Sequence, residues 1–492
     1  MRVNQRFLDI AESLKPSLFH TEVWAEDIRD IKKNDILIDF GDHYVGCVSI
    51  RFENKGRHND APVLLEVSFL ESLKELNEKP ERYHGWICSS WIQSERIHLD
   101  EFPSGHEFKR RYSFRYIRIK VISAPKGFEI LVSEARCDGV SSADERSLRK
   151  FEGAERDRRM DAVGVRTLHE CMQEVFEDGP KRDRRLWLGD LRIQALVNYQ
   201  TYRNYDLVKR CLYLFASDVF EDGRVANNFY IHPKPEADEQ WMFDYSLLFI
   251  VTLWEYYDAT KDLDTLKDLE ETALRQYELS KSAFDDHDLI DLRKLGPCFI
   301  DWNRWLDKQV SAQGVYIYAA KHLIRIEETL GKDVTKIRAD VDSKIEAVRN
   351  RSFDQKKGLY VSGPLKQISY ASQCWMIVSE TVNEEEAQAI LKNLNHIKRA
   401  IRPVTPYMYH VYIEALLMAG MKEEAYLKMN EYWGAMLNEG ADTFYEIFDP
   451  SHPNASPYGG KIIHSYCHAW SCGPSYFLRK YYTEGKTDDH YD

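Results

Sequence analysis

The amino-acid sequence predicts a multidomain protein in which an N-terminal antiparallel β-sandwich precedes an (α/α)6 toroid of helices. The chain of 492 residues is too long for one ordinary hydrophobic core. Its first third alternates apolar and polar residues with a period of two, as strands do, whereas the remainder places apolar residues three and four apart, as amphipathic helices do. Ten or more such helices after a β-domain fit a ring of helical hairpins whose inner members line a funnel.

Short strands separated by turn residues predict the β-sandwich, which we assign to residues 31–145. Residues 1–30 have a mixed pattern and are predicted to form a separate N-terminal segment, a short helix followed by a linker. The predicted strands are rich in β-branched and aromatic side chains. They cover residues 36–41, 44–52, 63–70, 96–99, 116–122 and 128–132.

The helical part follows a charged junction at residues 140–160, and we assign the toroid to residues 146–485. Helices of about 12–18 residues are expected to alternate with short and long loops, without a strict sequence repeat. The helical runs cover residues 191–199, 207–215, 243–257, 315–329, 368–380, 407–419, 422–436 and 468–480.

Composition excludes several classes of function. The net charge of −13 argues against a nucleic-acid partner. We expect no membrane partner, because no run of 18 apolar residues occurs and the N-terminus lacks a signal-peptide pattern. Nine scattered cysteines without a CxxC pair are typical of reduced thiols, so a cytoplasmic location is expected. The oligomeric state stays open, a homo-oligomer included.

Residues 178–190 are the most informative stretch of the chain. They contain three carboxylates, three arginines, a lysine and a tryptophan within 13 residues, and a Gly-Pro pair precedes a long amphipathic run. The acids are therefore expected on a loop that enters the first turn of a helix, where clustered charges can drive pKa values apart. The alternative is a solvated, salt-bridged helix start.

This stretch resembles the acid-bearing loop of the bacterial α-L-rhamnosidases, glycoside hydrolase family 78. The resemblance implies that Asp183 is the general acid, although the family usually has Glu at this point, seven residues before the last Asp. It also implies that Asp178 and Asp190 bind sugar hydroxyls, and Asp190 could equally cap the following helix. The matching positions are Asp178, Pro180, Arg182, Asp183, Arg184, Trp187 and Asp190, of which we also assign Arg182 and Trp187 to substrate binding.

A second resemblance lies near the C-terminus, in residues 432–437, 440–446 and 467–471. In the family, an acidic residue after an aromatic one supplies the second catalytic carboxylate, and Glu446 matches it. His468 matches the pocket histidine of the family, and Trp470 is assigned to the pocket with it. Residues 39–41, 45–46 and 114–116 look like the β-domain that precedes the barrel in rhamnosidases.

Two further places are candidates for sugar binding. Trp241 and Asp244, three residues apart, are predicted to share a helix face as a stacking platform and a hydroxyl-binding acid; a core tryptophan with a solvated acid is the alternative. Asp301 and Trp302 resemble the Gly-Asp-Trp loop of the family, with Ile300 in place of Gly. His464 and His468 have metal-ligand spacing, but no third ligand accompanies them, so no metal is expected.

The function predicted from these residues is that of an inverting glycoside hydrolase resembling α-L-rhamnosidases. Two carboxyl groups about 6.5–9.5 Å apart would act across the scissile bond, Asp183 as acid and Glu446 as base. The substrate would be a rhamnose-containing oligosaccharide or glycoside, and no cofactor is needed. Two alternatives stay open: a six-hairpin glycosidase acting on another sugar, such as a uronic acid or a different deoxy-sugar, and a catalytically silent carbohydrate-binding protein.

Overall fold

The computed structural model describes residues 1–56 and 61–483. A two-residue strand β1 (Arg2–Val3) and helix α1 (Gln5–Ser13) come first. The strands of the N-terminal domain follow in chain order: β2 (Phe19–Trp24), β3 (Asp27–Lys32), β4 (Asp35–Lys55), β5 (Val63–Leu70), β6 (Ser94–Leu99), β7 (Ser104–Ser123) and β8 (Glu129–Ser141).

These seven strands form one antiparallel sheet in the order β2-β8-β4-β7-β5-β6, with β3 paired to the first part of β4. Register shifts interrupt the long pairing of β4 with β7, which lets long strands bend. Side chains alternate between the two faces of each strand, and one face packs into a core that includes Ile38, Ile50, Val67, Phe114 and Ile117. The predicted antiparallel β-domain is therefore confirmed.

The prediction for residues 1–30 needs a correction. The short helix exists as α1, but β2 and β3 lie where a linker was expected, so the sheet begins before residue 31. Their residues are mostly polar and exposed because both strands lie on the rim of the sheet, and a half-buried alternation is therefore missing. Helix α1 packs on the helical domain, and β1 pairs with strand β10 (Asp218–Val219) of that domain.

The helical domain contains twelve helices within the described residues, and five more short strands lie in its loops. The helices are α2 (Glu155–Cys171), α3 (Leu188–Gln200), α4 (Tyr205–Ser217), α5 (Phe243–Thr260), α6 (Leu263–Ser280), α7 (Gln309–Thr329), α8 (Thr335–Ser352), α9 (Tyr370–Val378), α10 (Glu384–Asn395), α11 (Pro406–Met418), α12 (Lys422–Asn438) and α13 (Gly473–Tyr481). The strands are β9 (Leu186–Trp187), β11 (Asn228–Tyr230), β12 (Glu236–Ala237), β13 (Phe353–Asp354) and β14 (Leu359–Tyr360).

Six of these helices form a closed inner ring. Helices α3, α5, α7, α9 and α11 pack in succession, and α13 closes the ring against α3 and, through Phe477 and His410, against α11. The inner helices are buried on nearly all sides, whereas outer helices such as α6 and α10 expose a polar face. The predicted (α/α)6 toroid is confirmed. No helix among the described residues has both the length and the apolar character needed to cross a bilayer.

The loops of the toroid are unequal in length. Connections from an inner helix to the next outer helix are short, such as residues 201–204 and 261–262, whereas connections from an outer helix to the next inner helix are long, such as residues 172–187 and 439–472. Because inner and outer helices run in opposite directions, all the long connections lie at the same end of the ring. This end is where functional side chains on loops can gather.

Candidate active site

Four buried side chains meet at the end of the toroid that carries the long loops. Asp178 comes from the loop 172–187, Asp190 from the first turn of α3, and Glu446 and His468 from the loop 439–472. His468 lies among the three carboxylates. Its Nδ1 is 3.5 Å from Asp190 Oδ1, and its Nε2 is 3.9 Å from both Asp178 Oδ2 and Glu446 Oε1. The fold thus unites two segments that are far apart in the sequence.

Glu446 is held by two partners. Its Oε2 pairs with the guanidinium of Arg182, and its Oε1 accepts a 2.5 Å hydrogen bond from the hydroxyl of Tyr458. Burial raises the pKa of Glu446 to about 7, although Arg182 and the Tyr458 hydroxyl both lower it, and the charge of Asp183 adds to the rise. A carboxylate whose pKa lies near neutrality is suited to take up a proton during a reaction.

Arg182 connects this carboxylate with the predicted acid. Its Nε donates to the carbonyl of Ile463 at 3.0 Å, and its guanidinium carbon lies 4.2 Å from the ring centre of Tyr458. A terminal nitrogen of the same guanidinium is 3.9 Å from Asp183 Oδ2. Burial disfavours the charged form of Arg182, but Glu446 and the other neighbours of the guanidinium outweigh this effect and raise the pKa of Arg182. Arg182 therefore stays a cation.

Asp183 is more accessible than the other carboxylates of the site, with 26% of its side chain exposed. The negative charge of Asp183 raises the pKa of three neighbouring carboxyl groups, those of Asp178, Asp190 and Glu446. The backbone is left-handed at two successive residues, with φ of 65° at Asp183 and 55° at Arg184. Such a conformation is uncommon for residues other than glycine, and it is a form of strain that concentrates at functional sites.

Asp178 and Asp190 lie deeper in the site. Burial, followed by the charges of neighbouring carboxylates, raises the pKa of both well above the ordinary value, whereas burial lowers the pKa of His468 and keeps it neutral. Asp190 Oδ1 and His468 Nδ1 have no hydrogen-bond partner in the part of the chain that the structure describes. Buried polar atoms of this kind are suited to receive the hydroxyl groups of a ligand.

The alternative role of Asp190 as a helix cap needs a correction. Helix α3 begins at Leu188, and its N-cap position is occupied by Trp187, which makes no side-chain capping bond. Asp190 is therefore inside the first turn, where its carboxylate faces the site. Trp187 is half-buried in β9, with its ring centre 6.5 Å from that of Tyr245, and its Nε1 lacks a partner among the described residues.

An aromatic wall borders the carboxylates. The ring centre of Trp470 lies 5.8 Å from that of Phe299 and 6.2 Å from that of Trp302, and its Nε1 donates to the carbonyl of Glu446 at 2.8 Å. Trp302 in turn lies 5.4 Å from the ring of Tyr458. The wall therefore extends from Trp470, which contacts the backbone of Glu446, to Tyr458, whose hydroxyl donates to the Glu446 carboxylate. Its rings are flat and apolar, as are the surfaces that pack against a sugar ring.

Two acids predicted to bind substrate hold loops of the site in place. Both oxygens of Asp244 accept hydrogen bonds from backbone N–H groups, the shortest at 2.7 Å from Ile300, whose φ is 55°. Asp301 accepts from the backbone of Val404 at 2.9 Å and from the backbone and hydroxyl of Thr405 at 3.0 and 2.8 Å. Burial raises the pKa of Asp301 to about 6. Their predicted contact with substrate stays a prediction.

Trp241 does not share a helix face with Asp244, because α5 begins only at Phe243. The guanidinium of Arg224 lies 4.2 Å from the ring centre of Trp241. On the other side the ring lies against Gly296, where an added Cβ would come within 3.1 Å of it. Trp241 is thus wedged between two loops, and its role as a sugar-stacking platform stays a prediction.

The β-domain anchors the acid loop on both sides of Arg182. Lys181 is fully buried, and its Nζ donates to Glu75 Oε2 at 2.5 Å and to the carbonyl of His464 at 2.9 Å. Arg184 donates to the carbonyl of Arg111 at 2.8 Å. Burial, with the charge of Arg111, lowers the pKa of Arg184 to about 10. The strained loop is therefore fixed by a buried carboxylate and a backbone carbonyl of the β-domain.

Comparison with protein families identifies both parts of the chain. Residues 15–139 match the glycosyl hydrolase family 78 alpha-rhamnosidase N-terminal domain. Residues 158–482 match the bacterial alpha-L-rhamnosidase 6 hairpin glycosidase domain, which covers more than half of the chain. The chain belongs to glycosyl hydrolase family 78. The family resemblance and the enzyme class predicted from the sequence are confirmed: this family 78 member is a glycoside hydrolase of the α-L-rhamnosidase type.

Solved structures agree with this membership. The chain is 39% identical to a rhamnosidase from Klebsiella oxytoca with rhamnose bound, at a TM-score of 0.92 over 98% of this chain and 99% of that chain. A family 78 rhamnosidase of Bacillus sp. GL1 is 19% identical, with a TM-score of 0.77 over 92% of this chain and 47% of that chain. The latter likeness supports the fold alone. A search of curated proteins gave no match.

Sequence reasoning about this family 78 chain missed Tyr458 and Lys181. Both act through partners more than ten residues away, Tyr458 on Glu446 and Lys181 on Glu75, so local spacing carries no signal for them. The roles of the site residues named from the sequence stay predictions. Within residues 1–56 and 61–483, no group of three or more His, Cys, Asp or Glu side chains is placed to hold a metal ion.

Proposed function

We propose that this chain hydrolyses terminal α-L-rhamnosyl units of rhamnose-containing oligosaccharides or glycosides with inversion at the anomeric carbon. Membership of family 78 and 39% identity to the rhamnose-bound Klebsiella oxytoca rhamnosidase support the choice of sugar. The terminal sugar would lie between Asp183 and Glu446, with its hydroxyls near Asp178, Asp190 and His468. These three residues supply acceptors and an imidazole, which suit a polyhydroxylated ring.

The bridging position of Arg182 is the observation that carries the mechanism. One terminal nitrogen of its guanidinium pairs with Glu446, and another is 3.9 Å from Asp183. The nearest oxygens of the two carboxyl groups are therefore within roughly 9 Å of each other, which is compatible with the separation of about 6.5–9.5 Å in inverting glycosidases. This proximity speaks against the alternative of a catalytically silent carbohydrate-binding protein, in which the two carboxyl groups need not lie within reach of one glycosidic bond.

The resemblance to family 78 gives the two carboxyl groups different roles. Glu446, whose pKa is about 7, would take a proton from the water that attacks the anomeric carbon. Asp183, on the exposed side of Arg182, would donate a proton to the leaving oxygen. Membership of family 78 favours a rhamnosyl unit over a uronic acid in this pocket.

A screen of nitrophenyl glycosides tests the proposal. We expect release of nitrophenol from the α-L-rhamnoside and little from the other glycosides, uronides included. Proton NMR of the first-formed sugar separately tests inversion, since the β-anomer should appear before mutarotation. Preference for a different glycoside would contradict the substrate, and an initial α-anomer would contradict the stereochemistry.

We also propose a cytoplasmic location. The support is chemical: all nine cysteines are free thiols, and most of them are buried. Fractionation of the native host, with activity followed in each fraction, tests this location. The oligomeric state is a separate question, and gel filtration with light scattering would decide between a monomer and a homo-oligomer.

A further inference from the structure

The loop of the β-domain that joins β5 to β6, residues 71–93, forms part of the rim of the active site. Tyr83 and Ile92 of this loop share a small hydrophobic cluster with Tyr458, Ile462 and Ile463 of the toroid. The same cluster is joined at its edge by Trp302, a member of the aromatic wall. The β-domain therefore contributes directly to the surroundings of the catalytic carboxylates.

Two glycines allow this close approach. A Cβ on Gly85 would come within 1.8 Å of the carbonyl oxygen of Tyr458, and a Cβ on Gly459 would come within 2.8 Å of the Cα of Gly85. Backbone meets backbone at this point, so neither side can give way. The position of the loop next to Gly85 is therefore fixed relative to the backbone at residues 458–459 of the toroid.

Trp86 follows directly, and its side chain is held although it is exposed. Its indole Nε1 donates to the carbonyl of Pro457 at 3.2 Å, and its ring centre lies 5.6 Å from that of Tyr458. Nevertheless 69% of Trp86 is exposed. Its single polar atom is occupied, so the exposed remainder is flat carbon surface. A fixed apolar surface of this kind is typical of binding sites.

The burial of the carboxylates determines what could lie over Trp86. Asp178, Asp190 and Glu446 are all buried, so the site encloses a terminal sugar while the rest of a substrate has to leave over the rim. Trp86 is separated from Glu446 by a single residue, Tyr458, which contacts both. One tyrosine side chain therefore spans the distance between the ring of Trp86 and the carboxylate of Glu446.

We propose that Trp86 is the stacking platform of a leaving-group subsite that binds a second pyranose ring, the sugar to which the terminal rhamnosyl unit is attached. This inference rests on the proposed function. A pyranose presents an apolar C–H face and a polar edge, and exposed polar side chains flank Trp86 along its loop. These polar residues are Arg82, His84, Ser89 and Ser90.

Binding to an inactivated enzyme tests the subsite without turnover. In the Asp183→Asn background, calorimetry would measure the affinity for a rhamnosyl-glucose disaccharide and for free rhamnose. We expect the disaccharide to bind about ten-fold more tightly than rhamnose, and Trp86→Ala to remove most of this advantage. Trp86→Phe, which retains an aromatic face, should restore part of it. Trp24→Ala is the matched control, since Trp24 is 49% exposed in the same domain and its Nε1 also donates a hydrogen bond.

Several results would overturn the subsite. These are an unchanged advantage of the disaccharide in Trp86→Ala, an equal loss in Trp24→Ala, or no advantage in the parent. If nitrophenyl rhamnoside bound more tightly than rhamnose in a Trp86-dependent way, and the disaccharide did not, the choice of a sugar as the occupant would be overturned. Failure of the proposed function has a different signature, since wild-type enzyme would then release no rhamnose while the binding comparison could still be made.

Discussion

Replacing Tyr458 with phenylalanine is expected to move the pH dependence of catalysis upward. The hydroxyl of Tyr458 donates a 2.5 Å hydrogen bond to Glu446 and lowers the pKa of this carboxylate, which burial raises to about 7. The phenylalanine ring would keep the contact with Arg182, which lies 4.2 Å from the ring centre. The substitution therefore removes one hydrogen bond and leaves the packing of the site intact.

The size of the shift follows from the energy of that bond. A hydrogen bond to a charged group stabilises it by about 1.5–3 kcal/mol, and about 1.4 kcal/mol corresponds to one pKa unit. The pKa of Glu446 is therefore expected to rise by about one to two units, from about 7 to between about 8 and 9. A general base works in its ionised form, so kcat/KM should rise with pH through this pKa, and the midpoint of the acidic limb should move up by the same amount.

The assay is the pH profile of kcat/KM with nitrophenyl α-L-rhamnoside, because this ratio reports groups of the free enzyme. Tyr213→Phe is the matched control. The Tyr213 hydroxyl donates to Asp268 at 2.8 Å, a tyrosine–carboxylate pair between outer helices α4 and α6. Its loss should leave the profile unchanged. An acidic limb that stays in place or moves down in Tyr458→Phe would refute the assignment of this limb to Glu446.

Three further substitutions follow from the site. Glu446→Gln should lower kcat by about 10²–10⁴-fold while rhamnose binding persists, as kinetics and calorimetry can show. Asp183→Asn should nearly abolish turnover of natural glycosides but spare activated aryl rhamnosides, whose leaving oxygen needs no proton. Lys181→Met should lower the free energy of unfolding by about 3–5 kcal/mol in denaturant titrations, because Glu75 would stay buried without its cation. Lys15→Met, which breaks a partly exposed pair with Glu174, should cost at most about 1 kcal/mol.

Each of these predictions has an outcome that would contradict it. Near wild-type activity of Glu446→Gln would remove this residue from the mechanism. Equal losses on both substrate types in Asp183→Asn would transfer the acid role to Asp178 or Asp190. Equal effects of the two lysine substitutions on unfolding would show that the buried ion pair contributes no more than a surface pair.

Regular elements were predictable because their side chains carry a periodic signal. Strand β5 was predicted with the bounds Val63–Leu70 that the structure has, since one of its faces is buried in the core. Strands β2 and β3 were missed because their side chains are mainly exposed on both faces, which leaves no alternation. Periodicity therefore detects contact with a core, and strands on the rim of a sheet escape it.

Some residues of the site can likewise be recognised from the local sequence, whereas the roles of others depend on contacts between distant segments of the chain. The acid loop was recognisable because its charged residues are contiguous. The partners of Asp244 and Asp301 were not, since these acids bind backbone N–H groups 55 to 104 residues away, and nothing in the sequence distinguishes such an acid from one that faces a ligand. The structural role of these two acids is visible only in their burial and in the pairing of their oxygens, which the fold supplies.

The backbone at Asp183 offers a physical reason for the shorter acid at this position. A left-handed φ of 65° is tolerated several-fold better by Asp than by most residues with a Cβ, Glu among them. The next residue, Arg184, is also left-handed, and its guanidinium bonds to the carbonyls of Pro180 and Arg111, so the turn is closed from both sides. The curvature of the backbone can therefore bring the short side chain of Asp183 to a position that a longer side chain would reach from a less curved loop. On this argument the missing methylene and the left-handed turn belong together, and the β-domain, by fixing Arg184, helps to set the position of Asp183, the proposed proton donor.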